Sequence, residues 1–260
     1  MANPESNIPP SFTSSVVYEL PYEHEPLLDQ SFGNESELFD LYYPDGGDGP
    51  FPVLVFVLGF PAPGFDAGFG FKLKDLEFYK SWARLIAASG MTAVLYSADD
   101  AEPGTLELMA YLRRNCETLK LDMNRIGIWS CSANVANAIN VLNKVPDICC
   151  AALNYGYMLD LNGSTSVQDM AAQVHFANPN QGEASMPTVP MLVTKAGQDA
   201  FPGINEGIDS FVNLARERNI PVEFIDYEKG VHSFDVLDNT DESIAIVKRM
   251  VDFLKSHLLK

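Results

Sequence analysis

Residues 125–140, RIGIWSCSANVANAIN, decide how the rest of the chain is interpreted. The short apolar run at 126–129 has the length and residue types of a buried strand, and the residues from Ala133 onward have helical spacing. Ser132 lies where the two patterns meet. A serine on a sharp strand-to-helix turn projects its hydroxyl above the sheet, beside the first amides of the helix. The stretch therefore predicts that Ser132 is a nucleophile.

The residues two positions before and two positions after the nucleophile must be small, because the strand and helix backbones nearly touch there. This requirement identifies which residue of the turn is the nucleophile. Around Ser132 these neighbours are Ser130 and Asn134, one small and one of moderate size. Centring the turn on Cys131 or on Ser130 would instead place a bulky tryptophan or isoleucine before it. The pattern favours Ser132, although the commonest form of the motif has glycine at both flanks.

Composition restricts the class of protein. A chain of 260 residues with 47% hydrophobic content suits one α/β domain with a sizeable core. A net charge of −18 disfavours nucleic acid as a partner. No apolar run approaches the roughly 20 residues of a membrane span, and the first residues lack the features of a signal peptide. We expect a soluble, cytoplasmic protein whose cysteines, which lack metal-ligand spacing, are reduced and buried.

The domain organisation follows from the order of polar and apolar segments. We expect residues 1–15 to form a flexible lead and residues 16–260 a single domain. Alternating patterns at 15–20 and 35–43 predict an opening pair of antiparallel strands. The continuous apolar run at 52–58 predicts a central strand that is buried on both faces.

Strands and helices alternate from there to the end of the chain. Such alternation predicts a mostly parallel sheet with helices on both faces. Asn239 precedes the last helix, and Glu242 three residues later suggests a capping box. Residues 154–188 interrupt the alternation, and we expect them to form a short cap-like insertion.

The loops after three predicted strands carry residues whose chemistry fits together. Ser132 follows one strand, Asp199 follows the strand that ends near residue 194, and His232 follows the strand that ends near residue 227. Ligands collect at the carboxyl ends of parallel strands, so the three loops should meet. A serine hydroxyl needs a base, and the base needs a carboxylate to hold its tautomer. The sequence predicts that Ser132, His232 and Asp199 fill these roles.

These segments resemble the α/β-hydrolase superfamily, and within it the dienelactone hydrolases and small esterases. The likeness lies in RIGIWSCSA around Ser132, AGQDAFP around Asp199 and GVHSFD around His232, and it covers roughly residues 35–258. It implies a sheet of about eight strands, no cofactor, and attack by Ser132 with His232 as general base oriented by Asp199. Dienelactone hydrolases themselves use a cysteine nucleophile, so the serine disfavours that particular activity.

An acyl-transfer site also needs donors for the developing oxyanion. One is expected to be the backbone amide of Ala133, at the start of the helix. The second is expected from the loop after the central strand, LGFPAPG at 58–64. Family members often have His-Gly-Phe-Pro there, and this chain has Leu58 in place of the histidine. The resemblance implies that Phe60 supplies the amide, since Pro61 has no N–H.

Other acidic and histidine residues fit the site less well. Asp160 is the main rival of Asp199 for the acid. His175 is favoured as an ordinary loop residue over a pocket residue, and His24 and His257 as surface groups. Pairing with a helix N-terminus explains Asp99 and Asp100 adequately.

The sequence therefore predicts a serine hydrolase that cleaves small carboxylic esters through an acyl-enzyme on Ser132. The short insertion predicts an open pocket and a preference for short acyl chains. No metal or nucleotide motif is present. A thioesterase or dienelactone-type hydrolase on the same residues is one alternative. A non-catalytic binding protein is another, favoured by Asn134 and Leu58. The oligomeric state is left open.

Overall fold

The computed structural model describes residues 8–63, 68 and 70–260. Strands within these residues form one sheet, and all but the first coincide with an apolar or alternating segment of the sequence. They are β1 (Leu27–Ser31), β2 (Leu38–Tyr42), β3 (Phe51–Phe56), β4 (Thr92–Ser97), β5 (Leu121–Cys131), β6 (Ile148–Asn154), β7 (Met191–Ala196) and β8 (Val222–Tyr227).

The strand order is β1-β2-β4-β3-β5-β6-β7-β8. β2 runs antiparallel to both of its neighbours, and every pair from β4 to β8 is parallel. The carboxyl ends of β3 and of β5 to β8 therefore lie at one edge. The predicted mostly parallel sheet of about eight strands is confirmed.

Helices connect the strands. They are α1 (Pro10–Thr13), α2 (Glu77–Ala88), α3 (Ala101–Arg114), α4 (Val135–Lys144), α5 (Ser166–Val174), α6 (Ile204–Glu217), α7 (Phe234–Leu237) and α8 (Asp241–Leu258), with 3-10 turns at Leu73–Asp75, Ser132–Asn134 and Gly182–Ser185. None of the helices in the described parts of the chain is long and apolar enough to cross a membrane.

The core lies on both faces of the sheet. Every residue of β4 is buried, and side chains alternate between faces along a strand, so both faces are covered. On one face, the ring of Trp82 in α2 lies 5.2 Å from that of Trp129 in β5, and Phe56 of β3 lies 4.9 Å from Trp129. Packing of these large rings anchors α2 to the strand that leads to Ser132.

The opening of the domain differs from the prediction. Residues 15–20 do not form a strand. The N–H of Val16 donates to Ser81 Oγ, and the N–H of Val17 donates to the carbonyl of Asp235. The alternation of the segment reflects burial of Val16, but its backbone bonds go to helices and not to a strand. The edge strand is β1, which pairs with β2.

Part of the polar lead forms a helix. Residues 1–7 lie outside the described residues. Residues Pro10–Thr13 form α1, which has proline at its first position, where the missing N–H costs nothing. The ring of Phe12 packs edge-on against Phe71 with centroids 6.4 Å apart.

The cap of the last helix is one residue later than predicted. Thr240, and not Asn239, is the N-cap of α8, and its Oγ1 accepts from the N–H of Ser243 at 3.2 Å. A threonine hydroxyl satisfies one of the free amides of the first turn as well as asparagine would.

Candidate active site

The three loops that carry Ser132, Asp199 and His232 meet at one edge of the sheet. Oγ of Ser132 lies 2.9 Å from Nε2 of His232, and Nδ1 of His232 lies 2.6 Å from Oδ2 of Asp199. The side chain of Asp199 is fully buried, whereas that of His232 is partly exposed. The three predicted residues form a continuous hydrogen-bonded chain from a hydroxyl to a shielded carboxylate.

Ser132 has a left-handed backbone conformation with φ +57°. A non-glycine residue in this region is strained, and the surroundings must hold it there. Its carbonyl accepts from the N–H of Tyr157 at 3.2 Å. Gly156 provides the room, because a Cβ there would lie 2.5 Å from the carbonyl oxygen of Ser132. The turn therefore depends on close contact between two loops.

The neighbouring candidates for the nucleophile face elsewhere. The hydroxyl of Ser130 donates to the carbonyl of Val57 at 2.9 Å. The thiol of Cys131 is buried, and burial raises its pKa far above the usual value, so the thiolate does not form at neutral pH. Of these three side chains, only that of Ser132 contacts His232.

The loops of Asp199 and His232 are held together by backbone contacts. The N–H of Gln198 donates to the carbonyl of Gly230 at 2.8 Å. Gly197 allows this approach, because a Cβ there would lie 2.3 Å from the carbonyl oxygen of Glu228. The second carboxylate oxygen of Asp199 accepts from the N–H of Phe201 at 2.9 Å. Both carboxylate oxygens are thus satisfied and the acid is fixed in place.

Aromatic rings and a second carboxyl surround His232. The rings of Tyr155 and Phe201 pack edge-on against the imidazole, with centroids at 5.1 and 4.7 Å. The hydroxyl of Tyr155 donates to Asp235, a fully buried carboxyl that also accepts from the indole N–H of Trp82. Burial raises the pKa of Asp235 to about 6. Sequence patterns gave no signal for this group, because its partners come from distant helices and loops.

The loop after β3 is fixed by hydrogen bonds to other segments of the chain. The N–H of Leu58 donates to the hydroxyl of Tyr96 at 3.1 Å, and the carbonyl of Leu58 accepts from Nδ2 of Asn137 at 2.6 Å. The N–H of Gly59 donates to Oδ1 of Asn134 at 2.7 Å. Asn134 and Leu58 therefore both take part in the hydrogen bonds that fix this loop.

The expected oxyanion donors belong to residues on the wall of one cavity. Phe60 and Ala133 both line it, beside Ser132 and His232. The carbonyl of Gly59 accepts from the N–H of Ala177 at 2.7 Å, which ties the loop to the insertion. Gly64, at the end of the predicted loop, lies outside the described residues.

The cavity above Ser132 has a volume of about 730 Å³ and is mostly apolar. Its size lies in the usual range for small-molecule sites. One wall comes from the insertion and consists of Tyr157, Met170, Val174 and His175. The lining also includes residues of the N-terminal segment, namely Pro9, Pro10, Ser11 and Phe12. No sequence pattern indicated that this segment lies at the site.

The other two candidates, Asp160 and His175, have different positions in the structure. The carboxylate of Asp160 accepts from the N–H groups of Val167 and Gln168 and so caps the start of α5. His175 is not an ordinary loop residue as predicted. It ends α5 in a left-handed conformation and lines the cavity.

The chain matches no family model and no curated protein. Solved structures do match it. An esterase from Pseudomonas putida is 14% identical, with a TM-score of 0.63, and the match covers 91% of this chain and 83% of that chain. An esterase from the fungus Rhizomucor miehei is 17% identical, with a TM-score of 0.67 and coverages of 96% and 87%, and a bacterial heroin esterase is 14% identical, with a TM-score of 0.65 and coverages of 93% and 87%. The chain therefore has the α/β-hydrolase fold, and identities this low establish the fold alone.

Proposed function

We propose that this protein is a serine hydrolase that cleaves carboxylic esters through an acyl-enzyme on Ser132. The observation that carries the proposal is the hydrogen-bonded chain from Ser132 through His232 to Asp199, which opens into a cavity of small-molecule size. The esterases that share the fold add support. The dienelactone hydrolase-like branch of the fold, with its small esterases, fits the motifs around these three residues.

The proposed reaction uses these groups in turn. Oγ of Ser132 attacks the ester carbonyl carbon while Nε2 of His232 takes the hydroxyl proton. The carbonyl oxygen becomes an oxyanion, which accepts from the amides of Phe60 and Ala133. The C–O bond to the alcohol breaks, and His232 returns the proton to the leaving oxygen. Water then attacks the acyl-enzyme with His232 as base, which releases the carboxylic acid and restores Ser132.

The proposed substrates are small esters with a short acyl chain. The insertion is short, which favours a short acyl chain. The cavity of about 730 Å³ has apolar walls, which favour an uncharged, apolar substrate. Free thiols at all four cysteines support a cytoplasmic location.

The test is hydrolysis of p-nitrophenyl acetate, butyrate and octanoate, together with labelling by a fluorophosphonate. Wild-type protein should turn over acetate and butyrate faster than octanoate and should be labelled. Ser132→Ala should abolish both turnover and labelling. Ser130→Ala is the matched control. It also removes a serine hydroxyl, two residues before Ser132, but this hydroxyl donates to the carbonyl of Val57.

The outcomes separate the candidate functions. Turnover that survives in Ser132→Ala would exclude the proposed nucleophile. A folded wild-type protein with neither turnover nor labelling would favour the non-catalytic binding protein. Faster hydrolysis of matched thioesters than of oxygen esters would favour the thioesterase.

A further inference from the structure

Asn134 makes two hydrogen bonds in the interior, two residues after Ser132. Its side chain is almost completely buried, with 4% of the residue exposed. Oδ1 accepts from the N–H of Gly59 at 2.7 Å, and Nδ2 donates to the hydroxyl of Tyr79 at 2.8 Å. The N–H of Gly59 can only donate, so the amide oxygen must face it. The oxygen and the nitrogen of the amide therefore both have hydrogen-bond partners.

The bond between Asn134 and Gly59 joins the two segments that carry the proposed oxyanion donors. Gly59 directly precedes Phe60, and Asn134 directly follows Ala133. The contact is also tight, because a Cβ on Gly59 would lie 2.8 Å from Cα of Asn134. A shift of one backbone segment is therefore resisted by the other.

The remaining anchors hold different points of the loop. Tyr96 and Asn137 bind Leu58, before the donor, and Ala177 binds the carbonyl of Gly59. The carbonyl of Gly59 shares a peptide unit with the Phe60 amide and is held by Ala177, whereas Asn134 holds the N–H of Gly59, in the preceding peptide unit. Loss of the bond to Asn134 would release Gly59 from the segment that carries Ala133, while Ala177 still ties the loop to the insertion.

We propose that Asn134 is a positioning residue that sets the distance between the amides of Phe60 and Ala133. The inference rests on the proposed function, since it assigns a role within the same site. The oxyanion exists only in the transition state and the tetrahedral intermediate. Misplacing its donors should therefore lower kcat and leave KM nearly unchanged.

The test compares Asn134→Ala with Asn140→Ala. Asn140 is a matched control, because it lies on α4, is 5% exposed and has no hydrogen bond to residues 58–63, the described part of the loop. Removal of an oxyanion donor costs about 100- to 1,000-fold in kcat, so its displacement in Asn134→Ala should cost about 10- to 100-fold. KM should stay within about threefold of the wild type. Asn140→Ala should keep the wild-type kcat.

A transition-state analogue gives a readout that a general loss of structure would not reproduce. A trifluoromethyl ketone forms a hemiketal with the nucleophile and places its oxygen where the oxyanion develops. Its inhibition constant should rise in Asn134→Ala by the same factor by which kcat/KM falls. Inhibition by the carboxylic acid product should remain unchanged.

Tyr79→Phe serves if Asn134→Ala does not fold. It removes the bond that orients the amide and keeps the acceptor for Gly59, so kcat should fall by a smaller factor of about 3 to 10. A wild-type kcat in Asn134→Ala would overturn the inference and leave the proposed function intact. If Asn134→Ala does not fold, a wild-type kcat in Tyr79→Phe would do the same. A wild-type protein without ester turnover would overturn the proposed function and this inference with it.

Discussion

The indole Nε1 of Trp82 donates to Oδ2 of Asp235 at 2.7 Å, although 153 residues separate the two in the chain. Oδ1 of the same carboxyl accepts from the hydroxyl of Tyr155, whose ring packs against His232. The carboxyl is fully buried, and burial raises its pKa from 3.8 to about 6. A buried acid thus connects α2 and α7 to the ring beside the proposed base.

Asp235 should make the stability of the protein depend on pH between about 4 and 6. The folded-state pKa lies above the unfolded one, so in this window the folded protein holds a proton that the unfolded chain has lost. The resulting stabilisation is complete below about pH 4 and is lost as pH rises through about 6. Its size is about 3 kcal/mol, from the difference between the two values.

Asp235→Asn removes this dependence. Urea unfolding of both proteins between about pH 4 and pH 7 should show the variant gaining on the wild type as pH rises, by up to about 3 kcal/mol. Comparison of the two proteins at each pH cancels the contributions of the other ionisable groups. A difference that is the same at every pH would contradict the assignment.

Replacement of Asp199 should affect catalysis far more than replacement of Asp160. Asp199→Asn would replace the acceptor for Nδ1–H of His232 with an amide and favour the wrong tautomer, so kcat should fall by about 10⁴-fold. Asp160→Asn removes one charge at the start of α5 and should leave kcat within about threefold. The measurement is hydrolysis of p-nitrophenyl acetate by both variants. Equal losses of kcat would show that Asp199 does not orient the base.

A methyl group at Gly156 should destabilise the turn that carries Ser132. The added Cβ would lie 2.3 Å from Cγ2 of Val135 and 2.5 Å from the carbonyl oxygen of Ser132, so the backbone must move. Overpacking of this kind typically costs about 1–3 kcal/mol. Gly207→Ala is the control, because nothing lies within 4 Å of its Cβ position and alanine favours the helix α6.

Urea unfolding distinguishes these two glycines. Gly156→Ala should lower the free energy of unfolding, and Gly207→Ala should raise it by about 0.5–1 kcal/mol. If both substitutions changed the free energy of unfolding in the same direction and by the same amount, the loop at Gly156 would have to relax freely.

The buried cation Lys74 should contribute much more to stability than Lys195, whose acidic partners are exposed. Lys74 lies within 3.0 Å of Asp29, Asp40 and Asp75, and its side chain is only 3% exposed. Lys74→Met would leave the buried carboxyl of Asp40 without its cation, which typically costs about 3–5 kcal/mol.

Lys195→Met is the matched comparison. Its partners, Asp209 and Asp226, are about half exposed, at 50% and 46%, so their charges remain solvated after the change. The expected loss is below about 1 kcal/mol. Free energies of unfolding from urea denaturation test both, and a Lys74→Met variant as stable as the wild type would show that Asp40 is neutral in the folded protein.

The sequence by itself determined the strands from β2 onward and the loops that carry the candidate site. Runs such as residues 52–58 and 126–129 have strand patterns that depend only on local burial, and alternation with helices implies parallel strands. Parallel strands bring their carboxyl ends to one edge. Ser132, Asp199 and His232 could therefore be selected by position alone, and their side chains do lie within hydrogen-bond distance.

Only the tertiary structure decided which groups meet across long separations. Residues 15–20 alternate like a strand, yet they bond to Ser81 and Asp235. Asn134 looks like a defect of the motif until its amide is seen on Gly59, 75 residues away. The place of the N-terminal segment in the cavity lining and the hydrogen bonds of the buried Asp235 also depend on contacts between distant segments. Periodicity records which side of an element is buried, but a hydrogen bond between distant segments depends on the packing of the whole chain.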